Sequence, residues 1–332
     1  MNGQPVTQPE WAIVLAGGDG IRLQDLTRKI DGDSRPKQFS RIFGNRSLLG
    51  HTRERLKPIF GDSRLMFVVT KKHDCFYREE LADVDPSRVL EQPANRGTGI
   101  AIIAALLRLL EHERDPIIGI FPSDHFYADN TAFGVTVRSA IDAISEHDDS
   151  ILLIGAKPEW PEVEFGWIEP GVSITNQARK TLFGVRRFCE KPPLTEARTL
   201  MRNGGLWNTF ITIGRASAFL KLLSATVRPA LTSVAKALAH GDLNTIYSQI
   251  DAIDFSKHVL STNPRCLLVM ADNSSGWADL GNHARVIDTM DRHNVEPDWL
   301  REMREAKVSA QNNVQVYLGE ERARVRRNIA TA

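Results

Sequence analysis

Short apolar runs alternate with helix-length segments through the first half of this 332-residue chain, and each run ends in a polar or glycine-rich stretch. Residues 11–16, 64–70, 88–91, 116–121 and 150–155 read as buried strands, because unbroken apolarity marks a strand covered on both faces. Between them, residues 47–60, 97–112 and 131–146 carry helical periodicity, and a charged helical pattern follows Thr70. This alternation predicts an α/β fold built on a mostly parallel sheet with helices on both faces. Ligands of such sheets sit beyond the carboxyl ends of the strands. Gly17, Glu91 and Asp124 all fall at predicted strand ends, so the topology brings them to one rim.

The second half is less regular. Residues 165–169 and 182–190 read as strands flanking a turn, 206–214 as a strand, 216–258 as helical and 265–270 as strand. No fixed-period repeat or low-complexity linker appears. Composition marks no clear domain boundary; residues 10–290 are expected to form the main domain, and the charged residues 291–332 a helical accessory extension with a solvated basic face at Arg322, Arg324, Arg326 and Arg327.

Forty-two basic residues stand against forty-one acidic ones, a net charge of +1. No global field gathers anions, so a phosphate ligand has to be bound by local geometry, and neither nucleic acid nor a membrane is expected as partner. The longest apolar stretch, near residues 100–110, is interrupted by Arg108 and too short to span a bilayer. Residues 1–10 are polar and lack the basic and apolar regions of a secretory leader. Cys75, Cys189 and Cys266 lack Cys-x-x-Cys spacing; they are expected as small buried hydrophobes in a reduced, cytoplasmic protein.

The first strand runs into Gly17-Gly18-Asp19-Gly20, which exposes backbone N–H groups where an anion can approach without Cβ interference. The loop lacks the Gly-Lys-Ser/Thr ending of a P-loop, and Leu23 stands where a dinucleotide fingerprint needs its third glycine. Alone it reads equally as a tight turn. Arg22 follows at once, and Arg35-Pro-Lys-Gln-Phe39 adds a lysine presented by a stiffened segment. Asp124 ends a buried strand and reads as a ligand or as an Asx turn. Ser123-Asp124-His125 is not a hydrolase triad, since neighbours on an extended segment point to opposite faces. Glu190-Lys191 reads in isolation as a surface ion pair. Asn208 has donors and acceptors suited to a hydroxyl-rich ligand, and Asn95 or Thr98 also reads as a cap on the helix that starts near Gly97.

Together these segments resemble the sugar-1-phosphate nucleotidyltransferases, most closely their mannose-1-phosphate guanylyltransferase branch. The resemblance rests on residues 15–23 and 35–39, Glu91-Gln-Pro-Ala-Asn-Arg-Gly-Thr98, Pro122-Ser-Asp-His125, Phe188-Cys-Glu-Lys-Pro192, Leu206-Trp-Asn-Thr209 and Gly276-Trp-Ala-Asp279, in order along the chain. It implies the Rossmann-like, mixed but mostly parallel sheet of the nucleotide-diphospho-sugar transferases. It also implies Mg²⁺-dependent attack by a sugar-1-phosphate oxygen on the α-phosphorus of a nucleoside triphosphate, with GTP and mannose 1-phosphate as substrates. By the same resemblance Arg22 holds the β- and γ-phosphates, Lys37 the α-phosphate region and Lys191 the sugar phosphate. Asp124 and Asp279 hold Mg²⁺, and Leu15, Ala16, Gly17, Gly18, Gly20, Glu91, Asn95 and Thr98 surround the nucleotide. Gly166, Glu190 and Asn208 meet the sugar. Oligomeric state is left open, a homodimer included.

The chain departs from this pattern in places. Ile21 replaces a hydroxyl residue, removing a hydrogen bond worth about 0.5–1.5 kcal/mol, and Asp25 replaces a proline, adding negative charge near a phosphate site. Gly99-Ile100 stand where an Ala-Pro pair is common, and Thr209-Phe210-Ile211 where many relatives carry Ser-Gly-Met/Ile. Another nucleotide and hexose 1-phosphate pair, such as thymidylyl or uridylyl transfer to glucose 1-phosphate, and a non-catalytic nucleotide-sugar binder are the alternatives. A Rossmann dehydrogenase is disfavoured by the missing glycine.

Overall fold

A computed structural model describes residues 8–174 and 181–306; the basic residues at 322–327 lie outside them. The first half holds β1 (Glu10–Leu15), α1 (Gln24–Asp31), α2 (Leu48–Phe60), β2 (Leu65–Thr70), α3 (Asp74–Glu80) and β3 (Val89–Gln92). It continues through α4 (Gly97–Leu109), β4 (Ile117–Pro122), β5 (His125–Tyr127), α5 (Asn130–Ile144) and β6 (Ile151–Ala156). The second half holds β7 (Gly166–Ile174), β8 (Leu182–Glu190), α6 (Leu194–Arg202), β9 (Leu206–Arg215) and α7 (Ala216–Thr226). After these come α8 (Arg228–His240), α9 (Leu243–Gln249), β10 (Leu267–Asp272), β11 (Trp277–Asp279) and α10 (His283–His293).

Nine strands form one mixed sheet in the order β3-β2-β1-β4-β9-β6-β10-β8-β7. Strands β1 to β4 are mutually parallel, while β9 runs against both of its neighbours β4 and β6. Every residue of β2 and β6 is buried, as their unbroken apolar sequences require. Strand β7 also pairs with the start of β9, Trp167 opposite Trp207, which folds the far edge of the sheet back over its middle. One core face gathers apolar residues of α4, α7 and α8, the other those of α2 and α5. The mixed α/β fold therefore agrees with the expectation from sequence.

The 216–258 stretch is not one helix. Pro229 at the start of α8 cannot continue the preceding ladder. Gly241, at φ 69°, ends α8 in the left-handed region. The two-stranded sheet β5–β11 escaped the sequence reading because three residues are too short to show a period. Helix α10 runs through the 290/291 boundary. Beyond it Leu300 is buried beside Leu23 and Leu26, and the Trp299 indole donates to the carbonyl of Ile42 at 2.9 Å. Thus the segment following α10 supports the α1 region from below. Cys75 is exposed on α3 and the other two cysteines are half-buried, so none is the fully buried hydrophobe expected. Among the described residues no helix is long and apolar enough to cross a membrane.

Candidate functional site

The strand ends do converge. A cleft of about 710 Å³ opens over the rim and is lined by Leu15, Gly17, Gly18, Arg22, Lys37, Asn95, Thr98, Asp124, Gly166, Glu190, Lys191, Asn208 and Asp279. Three of the expected residues do not line it. Ala16 is buried beneath the loop, its N–H donating to Val68 and its carbonyl accepting from Gln38. Gly20 lines a smaller adjoining cavity, shared with Gly18, Arg22, Lys37 and Asp124. Glu91 points away: the period-two alternation of β3 buries Leu90 and Gln92 and leaves Glu91 exposed, accepting from the Tyr77 hydroxyl at 2.5 Å. Its neighbour Gln92 lines the cleft instead, accepting from the Tyr247 hydroxyl at 3.0 Å.

Gly20 explains why the loop needs glycine. Its φ is 59°, and a Cβ there would lie 2.7 Å from the backbone nitrogen of Lys37 and 3.0 Å from Cα of Pro36. The bare backbone lets the Arg35–Phe39 segment pack directly on the loop. Gln38 then locks the two together, its buried amide donating to the carbonyls of Ala16 at 2.9 Å and Gly18 at 2.7 Å. The sequence reading missed this role; the signal was a polar side chain in a segment otherwise ending in an apolar Phe39. Arg22 reaches across the cleft mouth to Glu164 at 3.1 Å.

The Lys37 ammonium lies between two carboxylates, 3.0 Å from Asp124 Oδ2 and 3.6 Å from Asp279 Oδ1, and donates to the carbonyl of Leu280 at 3.3 Å. Burial works against its charge, but Asp124 and then Asp279 hold its pKa above the usual lysine value. Burial likewise opposes the Asp124 charge, and Lys37 with His125 brings its pKa below the usual carboxylate range. The β5–β11 ribbon sets this geometry by placing Asp279 opposite His125. Ser123 takes no part: its hydroxyl donates to the carbonyl of Leu15 at 2.7 Å, so no triad forms. Behind Asp279, Arg285 of α10 lies 3.4 Å from Oδ2, 2.7 Å from Glu162 and 3.6 Å from Glu164, its guanidinium 4.5 Å over the Phe165 ring. Arg285 pins one oxygen of Asp279 and leaves the other facing Lys37, a link no sequence motif announced.

No group of three or more His, Cys, Asp or Glu able to cage a metal exists among the described residues. Two hard carboxylates on one cleft wall suit a divalent ion that completes its shell with phosphate oxygens and water, which is how Mg²⁺ usually binds. Here the Lys37 ammonium lies between those two carboxylates, and His125 stands beside Asp124 at 3.8 Å.

At the other end of the cleft Gly166 pairs with Glu190 across the β7–β8 hairpin. A Cβ on Gly166 would lie 2.7 Å from Glu190 Oε2 and 3.3 Å from Asn208 Cβ, so the three expected sugar-end residues are mutual neighbours. Burial, reinforced by the charge of Asp254 and opposed by Lys191, pushes the Glu190 carboxyl up to about 7. Lys191, at φ 49°, is 3.9 Å from Glu190 and largely exposed. Thr98 is not a helix cap: its hydroxyl accepts from the N–H of Phe255 at 2.9 Å, tying α4 to residues 252–258, which complete the cleft wall. Asn95 does accept from the N–H of Gly97 at 2.9 Å, as a helix-start residue would.

Phe210 also lines the cleft, at φ 68°. The left-handed region costs an L-residue roughly 1–2 kcal/mol. Asn208 holds the turn by accepting from the Phe210 N–H at 3.0 Å, beside the register shift between β6 and β9. The ring is half-buried, 6.3 Å from Phe255. The rest of the ring packs against the core face that gathers α4, α7 and α8.

The nucleotidyl transferase family model matches residues 11–294. The xanthan biosynthesis protein XanB of Xanthomonas campestris is 30% identical over 294 residues, covering 84% of this chain and 59% of its own length. A mannose-1-phosphate guanylyltransferase of Escherichia coli is 28% identical over 284 residues, covering 81% of this chain and 58% of its own. The chain thus spans about three-fifths of the curated relatives it matches. Among solved structures, one described as mannose-1-phosphate geranyltransferase from Thermus thermophilus superposes with a TM-score of 0.72 at 26% identity, covering 82% of this chain and 77% of that one.

Proposed function

We propose that this chain, which belongs to the nucleotidyl transferase family, transfers a nucleotidyl group from GTP to mannose 1-phosphate, releasing pyrophosphate. The observation that carries this reading is the Lys37 ammonium held between Asp124 and Asp279 where the glycine loop meets the sugar-end wall. Relatives named for the same guanylyl transfer support the substrate pair.

Every group has a task in that reaction. Backbone N–H groups of Gly17, Gly18 and Gly20 and the Arg22 guanidinium receive the triphosphate. Leu15, Asn95 and Thr98, with Gln92 in place of Glu91, wall the purine. Lys191 meets the sugar phosphate; Gly166, Glu190 and Asn208 meet the hydroxyls. An oxygen of the sugar phosphate forms the new bond to the α-phosphorus, and the bond from that phosphorus to the β-bridging oxygen breaks as pyrophosphate leaves. The attacking phosphate is already an anion, so no base is required of the protein. Its work is to hold two anions in line and to set Lys37 against charge growing on the α-phosphate. Asp124 and Asp279 would hold Mg²⁺, which when bound supplies neutralisation of the phosphate oxygens.

The test is pyrophosphate release across four nucleoside triphosphates and several sugar 1-phosphates, with and without Mg²⁺. Turnover confined to GTP and mannose 1-phosphate is expected. Another productive pair replaces the substrates and keeps the chemistry, whereas nucleotide binding without turnover by any pair overturns the enzymatic reading.

A further inference from the structure

We infer that Phe210 is a specificity-determining residue: its ring forms part of the cleft floor beside Asn208 and restricts the sugar end to hexose 1-phosphates without a bulky ring substituent. This rests on the sugar-phosphate reading given above. Three observations carry it. A bulky residue at φ 68° inside a strand is an outlier, and glycine would occupy the position without strain. The ring lines the cleft on one side, while the rest of it packs against the core face that holds α4. The backbone around it is held firmly: Asn208 accepts from its N–H, Thr212 donates to its carbonyl at 3.0 Å, and Thr209 donates to Ile154 at 2.6 Å.

Backbone strain persists at a site where the surroundings over-determine it and the side chain serves the ligand. Here the turn that strains Phe210 also aims Asn208, because one Asn208 oxygen is spent on the Phe210 N–H and its amide nitrogen faces Ser256 Oγ at 3.5 Å. Phe255 closes behind the ring, and the N–H of Phe255 is fixed by Thr98. The ring is therefore backed by Phe255. A hydroxyl passes; an N-acetyl group meets the ring edge. Discrimination works by exclusion, which costs the favoured sugar nothing.

The experiment compares wild type with Phe210→Gly, and with Phe210→Asn as a second residue that tolerates this backbone region. Values of kcat/KM are measured for mannose 1-phosphate and for N-acetylglucosamine 1-phosphate at saturating GTP, with calorimetric binding of both sugars and thermal melts alongside. The preference for the unsubstituted sugar is expected to fall at least about tenfold in both variants, the melting temperature moving by less than about 5 °C. An unchanged preference in a folded variant overturns the inference, as does a wild type that accepts both sugars equally. A wild type that neither binds nor turns over any sugar phosphate removes the underlying reading as well, a distinct result.

Discussion

Replacing Glu190 by glutamine should stabilise the substrate-free protein, and only above acid pH. The carboxyl side chain is 17% exposed, with Lys191 3.9 Å away and 62% exposed. Burial, with the charge of Asp254 added and Lys191 opposing, raises its pKa from 4.5 to about 7. Each pKa unit is worth about 1.4 kcal/mol, so ionised Glu190 costs the folded state about 3 kcal/mol. The sign follows from proton counting. Below pH 4.5 both states hold the proton and nothing is lost. Between 4.5 and about 7 the unfolded chain releases it while the folded chain keeps it, so stability falls as pH rises. Above 7 both are ionised and the full penalty stays. Urea unfolding of wild type and Glu190→Gln at pH 4.5, 6 and 8 should therefore give a stability gap that opens with pH to about 3 kcal/mol in favour of the variant. A gap that is flat from pH 4.5 to 8 would refute the reasoning, because it would mean the carboxyl ionises in its ordinary range. If Glu190 meets sugar hydroxyls, the same variant should raise KM for the sugar phosphate despite its greater stability, the usual trade at a binding site.

Lys37→Met and Asp124→Ala should each lower kcat by on the order of a hundred- to thousand-fold while circular dichroism shows the fold intact; near-wild-type rates would remove that residue from the mechanism. Gly20→Ala forces a Cβ to within 2.7 Å of the Lys37 nitrogen at φ 59°, so nucleotide affinity measured by calorimetry should collapse, and unchanged affinity would contradict the loop geometry. Arg285→Ala frees the pinned oxygen of Asp279 and should raise the Mg²⁺ concentration for half-maximal activity roughly tenfold; an unshifted metal dependence would show that Arg285 only supports packing.

The strand ends were readable because β1, β2, β4 and β6 are buried on both faces and so carry unbroken apolar sequences that no helix of that length needs. Fold class followed from that, and so did the neighbourhood of Gly17 and Asp124. What did not follow is everything decided by side-chain direction. Glu91 and Gln92 are adjacent in a four-residue strand, and one residue of register decides which faces the cleft. Gln38 sits on a 3-10 turn whose packing onto the glycine loop depends on a contact twenty residues back. Arg285 acts through α10, to which the sequence reading assigned no role, and Phe210 takes a backbone conformation that its residue type argues against. Local pattern carries none of these: Gln92, Gln38 and Arg285 are placed by partners distant in sequence, and the Phe210 turn sits where the register between β6 and β9 shifts.

On the proposed function, a chain of near-zero net charge receives two anionic substrates, and the ion pairs of the cleft say how. Each cation assigned to phosphate already has a carboxylate beside it: Arg22 has Glu164, Lys37 has Asp124, and Lys191 has Glu190. Binding substrates thus exchanges partners rather than filling bare positive charge. The exchanges differ in kind. Arg22 with Glu164 and Lys191 with Glu190 each expose at least one partner widely, so water screens them and phosphate displaces the carboxylate at little cost. Lys37 with Asp124 and Asp279 is shielded, with 12% of the lysine side chain exposed, and separating that group without compensation would be costly. In the proposed reaction a divalent cation bound with the triphosphate would compensate both aspartates and leave Lys37 to the α-phosphate. On the proposed function the outer pairs would set how readily each substrate enters, while the shielded inner group would yield only to a nucleotide that brings its own divalent cation.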